Sequence, residues 1–249
     1  MTMSRVAPVV PAETDVLCES CGYTLNGLPE SGNCPECGEP ITRSTTDDQR
    51  QPPGFERDEG SRLANFLRTT ASVTFRPRYF YRTSTTRPGN SSADLTFARI
   101  HWVITSIVFA TTLALHAKWY FNTVLGYYVA TYAVIGLSAS SFVVICAFQS
   151  GVTRLAAKLT AWEAAYRGYR LPYRSVLRAL YYHSAHYLPV ALVAFATVAG
   201  YQVLLLGRVV TNASATNYLY VLCAEVILGA VYLFQTYWIG MRNMMYANR

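Results

Sequence analysis

Apolar residues in this chain gather in long runs that begin only after position 94, while the first 94 positions are polar and rich in Pro, Ser, Thr and Arg. Leu95 to His116, Val124 to Phe148, Tyr187 to Gly207 and Tyr218 to Met241 are each apolar around the whole helical circumference. A surface helix of a soluble protein carries a single apolar stripe, so an all-round pattern points to lipid or to deep burial. Each run is also long enough to cross about 30 Å of hydrocarbon at a rise of about 1.5 Å per residue. The pattern predicts an all-α membrane helical bundle of about four transmembrane helices behind a polar head. A buried soluble helix is the alternative for any single run.

Shorter patterns fill the gaps. Met1 to Asp15 lacks periodicity and reads as a disordered N-terminus, and the Pro-rich, polar stretch 41–60 reads as a flexible linker that leaves the head tethered, not packed. Within an interfacial segment 61–94, Leu63, Phe66 and Leu67 share a helical face beside Arg62 and Arg68, and Phe75 to Tyr81 mixes rings and cations suited to headgroups. Between spans two and three, the loop 149–186 carries Val152, Leu155, Leu159, Trp162 and Tyr166 in steps of three and four. They form one apolar stripe against Arg154, Lys158, Glu163 and Arg167. Gly168 is expected to end that helix and Pro172 to open another.

Composition sharpens the membrane assignment: hydrophobic residues make up 52% of the 249 and charged residues 14%, against about a quarter charged in soluble domains. The formal charge of +7 is compatible with nucleic acid or with anionic lipid, and its placement decides. Arginines cluster before span one and between spans two and three, with Arg242 and Arg249 closing the chain, while only Lys118 and Arg208 fall on the opposite side. The positive-inside asymmetry predicts both termini and the middle loop in the cytoplasm, in the cytoplasmic membrane if the source is bacterial, with anionic headgroups as neighbours. No signal-peptide core opens the chain. Asn212-Ala213-Ser214 is a formal glycosylation sequon in the second outer loop, best read as chance.

Four of six cysteines form two CxxCG knuckles, Cys18-Glu19-Ser20-Cys21-Gly22 and Cys34-Pro35-Glu36-Cys37-Gly38. That spacing lets two sulfurs of each knuckle reach one ion, and the glycine permits the positive φ of a tight turn. The expectation is a small β zinc ribbon over 16–40 holding one structural Zn2+, because four thiolates close the coordination sphere. Iron in a rubredoxin-like site and a dithiol redox pair remain alternatives. Cys18 to Glu39 contains no Lys or Arg but carries Glu19, Glu30, Glu36 and Glu39, which disfavours nucleic acid and favours an unknown cytosolic protein.

The run Cys21-Gly22-Tyr23-Thr24-Leu25-Asn26-Gly27-Leu28 with Cys34-Pro35-Glu36-Cys37-Gly38 resembles the CGYDLRGL...CPECG ribbon that opens many membrane proteins of planctomycete-type bacteria. Thr24 and Asn26 replace the commoner Asp and Arg. Behind it, Arg76-Pro77-Arg78-Tyr79-Phe80-Tyr81 and the helical body are similar to Yip-type membrane proteins, which usually have five spans. That resemblance implies a role in membrane organisation or trafficking.

Three function classes follow. The first is a noncatalytic interaction or membrane-organisation protein, which a homo-oligomer would also fit. The second is a transporter or channel-like bundle using Glu225, since a carboxylate in hydrocarbon needs a partner, a proton or water, with Gln202 and Gln235 lining the same interior. The bland reading of Glu225 is a protonated or hydrogen-bonded packing residue. The third is a membrane metalloenzyme with Glu163, His183 and His186 as a two-histidine, one-carboxylate set, although ordinary interfacial histidines are the better reading. His101 and His116 lie near opposite ends of span one. No nucleotide loop or nucleophile elbow appears, so no catalytic residue is assigned.

Overall fold

The structure, a computed structural model, describes residues 15–46, 50–57, 60–85, 92–167, 169, 171–207 and 215–248. Expectations for residues 1–14, Arg87, Gly168, Arg170, Arg208, Asn212 and Arg249 lie outside the described residues.

The described chain is predominantly helical. After the cysteine segment come α1 (Thr42–Thr45), a 3-10 turn (Gly54–Glu56), α2 (Arg62–Phe75) and α3 (Pro77–Thr83). Four long helical stretches then follow: α4 (Ala93–Trp119), closed by a π turn over Tyr120–Val124; α5 (Thr131–Tyr166); α6 (Tyr173–His183) running through a 3-10 turn into α7 (Tyr187–Leu206); and α8 (Ala215–Met244). All four have the length and composition to span a membrane. In α5 the most apolar 18-residue window has none of its residues buried, so within this chain it is not the buried helix of a soluble core, and so wide an apolar surface calls for lipid or another chain.

Several boundaries differ from those predicted. Span two starts at Thr131, since the π turn and Gly126, at φ +72°, redirect the chain first. The loop 149–186 is not a separate cytosolic element at its start: α5 continues through Gln149-Ser150-Gly151 to Tyr166. A lone interior glycine costs only about 1 kcal/mol in a helix, and no proline forces a break. The predicted stripe survives on this extension, with Leu155, Leu159, Trp162 and Tyr166 all exposed.

The β ribbon is corrected too. Among the described residues there are no strands; the cysteine segment has only isolated antiparallel bridges, Leu17 to Thr24 and Asn33 to Pro40. Pairing stops because Asn26-Gly27 and Ser31-Gly32 turn the backbone after one bridge, with Gly27 at φ +78°.

By its contacts the chain divides into two compact units, Met1–Phe97 with Thr153–Tyr182 and Tyr237–Arg249, and Ala98–Val152 with His183–Thr236. The first is built on rings. Phe55, Phe66 and Phe97 meet at 5.3 to 5.7 Å between centroids, Phe97 packs on Tyr182 at 4.9 Å, and Tyr182 on Phe80 at 5.3 Å. Beside them a buried ion pair joins Arg178 of α6 to Glu56 at 2.9 Å, and Tyr182 donates its hydroxyl to the same carboxylate. On α2 and α3, Leu63, Leu67, Phe75 and Tyr79 remain exposed while Phe80 and Tyr81 are buried, so only part of the predicted headgroup segment faces outward.

The second unit packs Trp119, Val198, Tyr201 and Tyr218 at one cluster, with Tyr201 and Tyr218 stacked at 4.0 Å. Gln149 of α5 donates to Thr105 of α4 at 3.1 Å, both buried. Gly229 lets α8 approach α7 closely, since a Cβ there would sit 3.1 Å from Val190.

Candidate metal centre and polar sites

The two knuckles converge on one point. Their four Sγ atoms all lie within 4.8 Å of one another, with Cys18 to Cys37 at 3.5 Å and Cys21 to Cys34 at 3.6 Å. Zinc–sulfur bonds of about 2.3 Å in a tetrahedron separate sulfurs by roughly 3.8 Å, so the donor set fits one tetrahedral ion. Each knuckle closes with a tight turn, Gly22 N–H to Cys18 O at 2.7 Å and Gly38 N–H to Cys34 O at 2.9 Å, and both glycines have positive φ, +83° and +74°. Amides of Ser20 and Cys21 point at the Cys18 sulfur, and those of Glu36 and Cys37 at the Cys34 sulfur. Such donors favour thiolate. Burial pushes the Cys18 thiol up and that of Cys21 up to about 12, whereas at Cys34 burial is outweighed by the Cys37 and Glu36 amides and the pKa falls to about 7. A divalent ion bound by Cys18, Cys21, Cys34 and Cys37 would override these differences by holding all four as thiolates.

The expected loose tether is overturned. Arg50, inside the supposed linker, grips Glu19 of the first knuckle at 2.9 Å and also donates to the carbonyls of Tyr81, Ser84 and Asn243 at 3.1, 3.3 and 3.3 Å. At the other end of the chain Asn248 pairs with Leu17, receiving its N–H at 2.8 Å and donating to its carbonyl at 2.7 Å. Its side chain also donates to Ser44 O at 3.0 Å, and its backbone N–H to Glu19 at 3.2 Å. Tyr246 lies on the knuckle glycine so tightly that a Cβ at Gly22 would come within 2.5 Å of its ring. Ile41, Arg50 and Phe55 are buried, and Gln51 exchanges backbone bonds with Thr83 and Thr85. The stretch 41–60 is therefore packed where described. Its polar composition misled because its polar groups find partners within the fold instead of water.

The other predicted site residues separate. Glu163 pairs with Arg167 at 2.7 Å, whereas His183 faces Thr236 Oγ1 at 3.0 Å and His186 Nδ1 faces the Tyr232 hydroxyl at 2.8 Å. Among the described residues only the four cysteines form a group able to hold a metal, so the structure does not assemble a site from Glu163, His183 and His186. The histidines are consumed by helix packing. His101 is buried on α4 within electrostatic reach of His186, a proximity that the sequence did not suggest.

Glu225 sits on α8 with Oε1 accepting the Thr197 hydroxyl, while its buried Oε2 has no hydrogen-bond partner among the described residues. Gln202 donates to Leu115 O at 3.0 Å, and Gln235 is exposed. The three do not form one polar lining, because the helical twist turns Gln235 outward. Sequence reading missed Arg50, Asn248, Glu56 and Arg178, whose partners lie 31 to 231 positions away; no local pattern marks such residues.

Compared with known protein families, curated proteins and solved structures, the chain matches none. Its site geometry alone therefore carries the functional reading.

Proposed function

We propose that this protein is a noncatalytic organiser in the cytoplasmic membrane, with a zinc-closed knuckle module clamped to its helical body as a rigid contact surface for a cytosolic protein. The observation that carries this reading is the double clamp of the knuckles by Arg50 and Asn248. Four thiolates leave the ion no open position for substrate, which favours structure over catalysis. The clamp removes most of the orientational freedom that a tethered module would lose on binding, and preorganisation of this kind strengthens association. Glu30 and Glu36 remain exposed on the module, so the partner surface is basic. Arginine asymmetry along the sequence supports both termini in the cytoplasm.

The test is crosslinking in cells. Reversing Glu30 and Glu36 to Lys is expected to abolish the adduct with the cytosolic partner while membrane insertion and zinc content stay intact. Recovery of the same adducts from a variant with all four cysteines changed to Ser would refute it.

A second reading, a proton- or cation-coupled transporter, is favoured by the unpartnered Oε2 of Glu225. A buried carboxylate oxygen without a donor calls for a proton or a cation.

A further inference from the structure

We propose that the cleft beside the first knuckle binds the headgroup of a zwitterionic, ammonium-bearing phospholipid of the phosphoethanolamine class. The inference rests on reading the chain as a membrane protein. The cleft, of about 450 Å³, has one wall from the knuckle at Glu19 to Cys21, a second from the end of α5 and a third from the last turns of α8 with Tyr246. Its volume falls within the roughly 300–1,000 Å³ of ligand pockets. It opens at the ends of two candidate membrane helices, and the half-exposed Trp238 beside it has the amphipathic ring that settles at the lipid–water boundary.

The charges select the ligand. Two carboxylates, Glu19 and Glu163, and two guanidiniums, Arg167 and Arg242, line the cleft. Glu19 is held by Arg50 and Asn248. Glu163 and Arg167 pair with each other while both remain over half exposed, at 53% and 58%, and a pair this open is weak enough to exchange partners. Arg242 is exposed and has no carboxylate partner among the described residues. Arg242 and Arg167 thus suit a phosphate, and Glu163 suits a cation. A purely anionic headgroup would meet Glu163, and beyond it the Cys21 wall, where four thiolates closed on a divalent ion would leave a net negative charge. An ammonium turns both into attractions, and the rings of Tyr169, Tyr237 and Trp238 add favourable faces for it. Met241 and Leu171 supply apolar wall for the glycerol and first methylenes. The same phosphate–ammonium chemistry occurs in soluble glycerophosphoethanolamine; the cleft's place at the helix ends favours the lipid.

The experiment is native mass spectrometry of the full-length, zinc-loaded protein released from phosphatidylcholine nanodiscs doped with phosphatidylethanolamine or phosphatidylglycerol. Phosphatidylethanolamine is expected to be retained over phosphatidylglycerol by about tenfold. Glu163→Gln is expected to erase that preference, Arg242→Gln to lower retention of both lipids, and Arg43→Gln, on α1 outside the cleft, to change neither. A photoreactive phosphatidylethanolamine on the unaltered protein is expected to label the peptides around Tyr237 to Tyr246, which needs no variant to fold. Equal or stronger retention of phosphatidylglycerol, an unchanged preference in Glu163→Gln, or labelling confined to other peptides would overturn the proposal. Full displacement by equimolar soluble glycerophosphoethanolamine would also overturn it, by placing the ligand in solution. If alkaline carbonate alone extracts the protein from membranes, the membrane reading itself fails; if detergent is needed but no lipid preference appears, only the cleft proposal fails.

Discussion

Replacing Arg50 with Ala removes a guanidinium that is 4% exposed and leaves Glu19, 18% exposed, without its ion partner. It also strips the carbonyls of Tyr81, Ser84 and Asn243 of a donor. Breaking one side of a buried pair typically costs about 3–5 kcal/mol, because the surviving charge stays desolvated. Solvent screens this pair little, so the upper half of that range is available, reduced where the freed knuckle swings out and rehydrates Glu19. The loss falls on docking and not on metal binding, since the cysteine sulfurs converge within the knuckles themselves. The assay is hydrogen exchange at the Leu17 amide, which docking buries against Asn248. Arg50→Ala is expected to speed that exchange by roughly 10²- to 10³-fold, the kinetic equivalent of about 3–4 kcal/mol of lost local stability, with one zinc retained per chain. Arg50→Lys is expected to recover only part of the protection, because a point charge cannot reach Glu19 and three carbonyls together. Unchanged exchange in Arg50→Ala, or loss of zinc in step with undocking, would refute the reasoning.

Cys37→Ser is expected to lower zinc from one ion per chain to none at submicromolar free metal, checked by elemental analysis, and to expose the segment 16–40 to protease. Gly22→Ala is expected to destabilise the docked knuckle by at least about 1–2 kcal/mol, the left-handed backbone cost for an L-residue, with a further loss as Tyr246 is displaced; protease susceptibility near Gly22 measures it. Burial holds the Glu56 carboxyl above its ordinary pKa despite the Tyr182 hydroxyl and the Arg178 guanidinium. A raised folded pKa means the native state binds the proton more tightly, so Glu56's contribution is fully present below its unfolded pKa and shrinks as pH rises through the folded one. The stability of the unaltered protein relative to Glu56→Gln is therefore expected to fall from acid toward neutral pH in parallel denaturation series, and a rise would show that the Arg178 pair dominates. Glu225→Gln is expected to leave crosslinking to the cytosolic partner unchanged; loss of a proton-coupled flux in proteoliposomes would instead support the transporter reading.

How far such sites can be read from sequence depends on the spacing of their parts. The metal set was legible because its ligands come in two four-residue knuckles whose following glycines advertise the turns. The stripe on the far half of α5 was legible because helical periodicity is local. Continuity of α5 through Gly151 was not, since glycine is tolerated or not according to the packing around it. Glu163, His183 and His186 look like a ligand set as letters, yet each finds a nearer partner once the helices take their places.

Composition and period by themselves determined that this chain has four helices able to cross a membrane and four cysteines able to hold one ion, because both properties belong to segments shorter than forty residues. Only the tertiary structure decided that the knuckles are clamped and not tethered, and that a charged cleft forms beside them. Those outcomes depend on Arg50 and Asn248 meeting partners far away in sequence, and on Arg242 of α8 coming to line one cleft with Glu19 of the first knuckle. The free energy of a buried polar contact is set by where the fold places its two halves, and neither half carries that information alone.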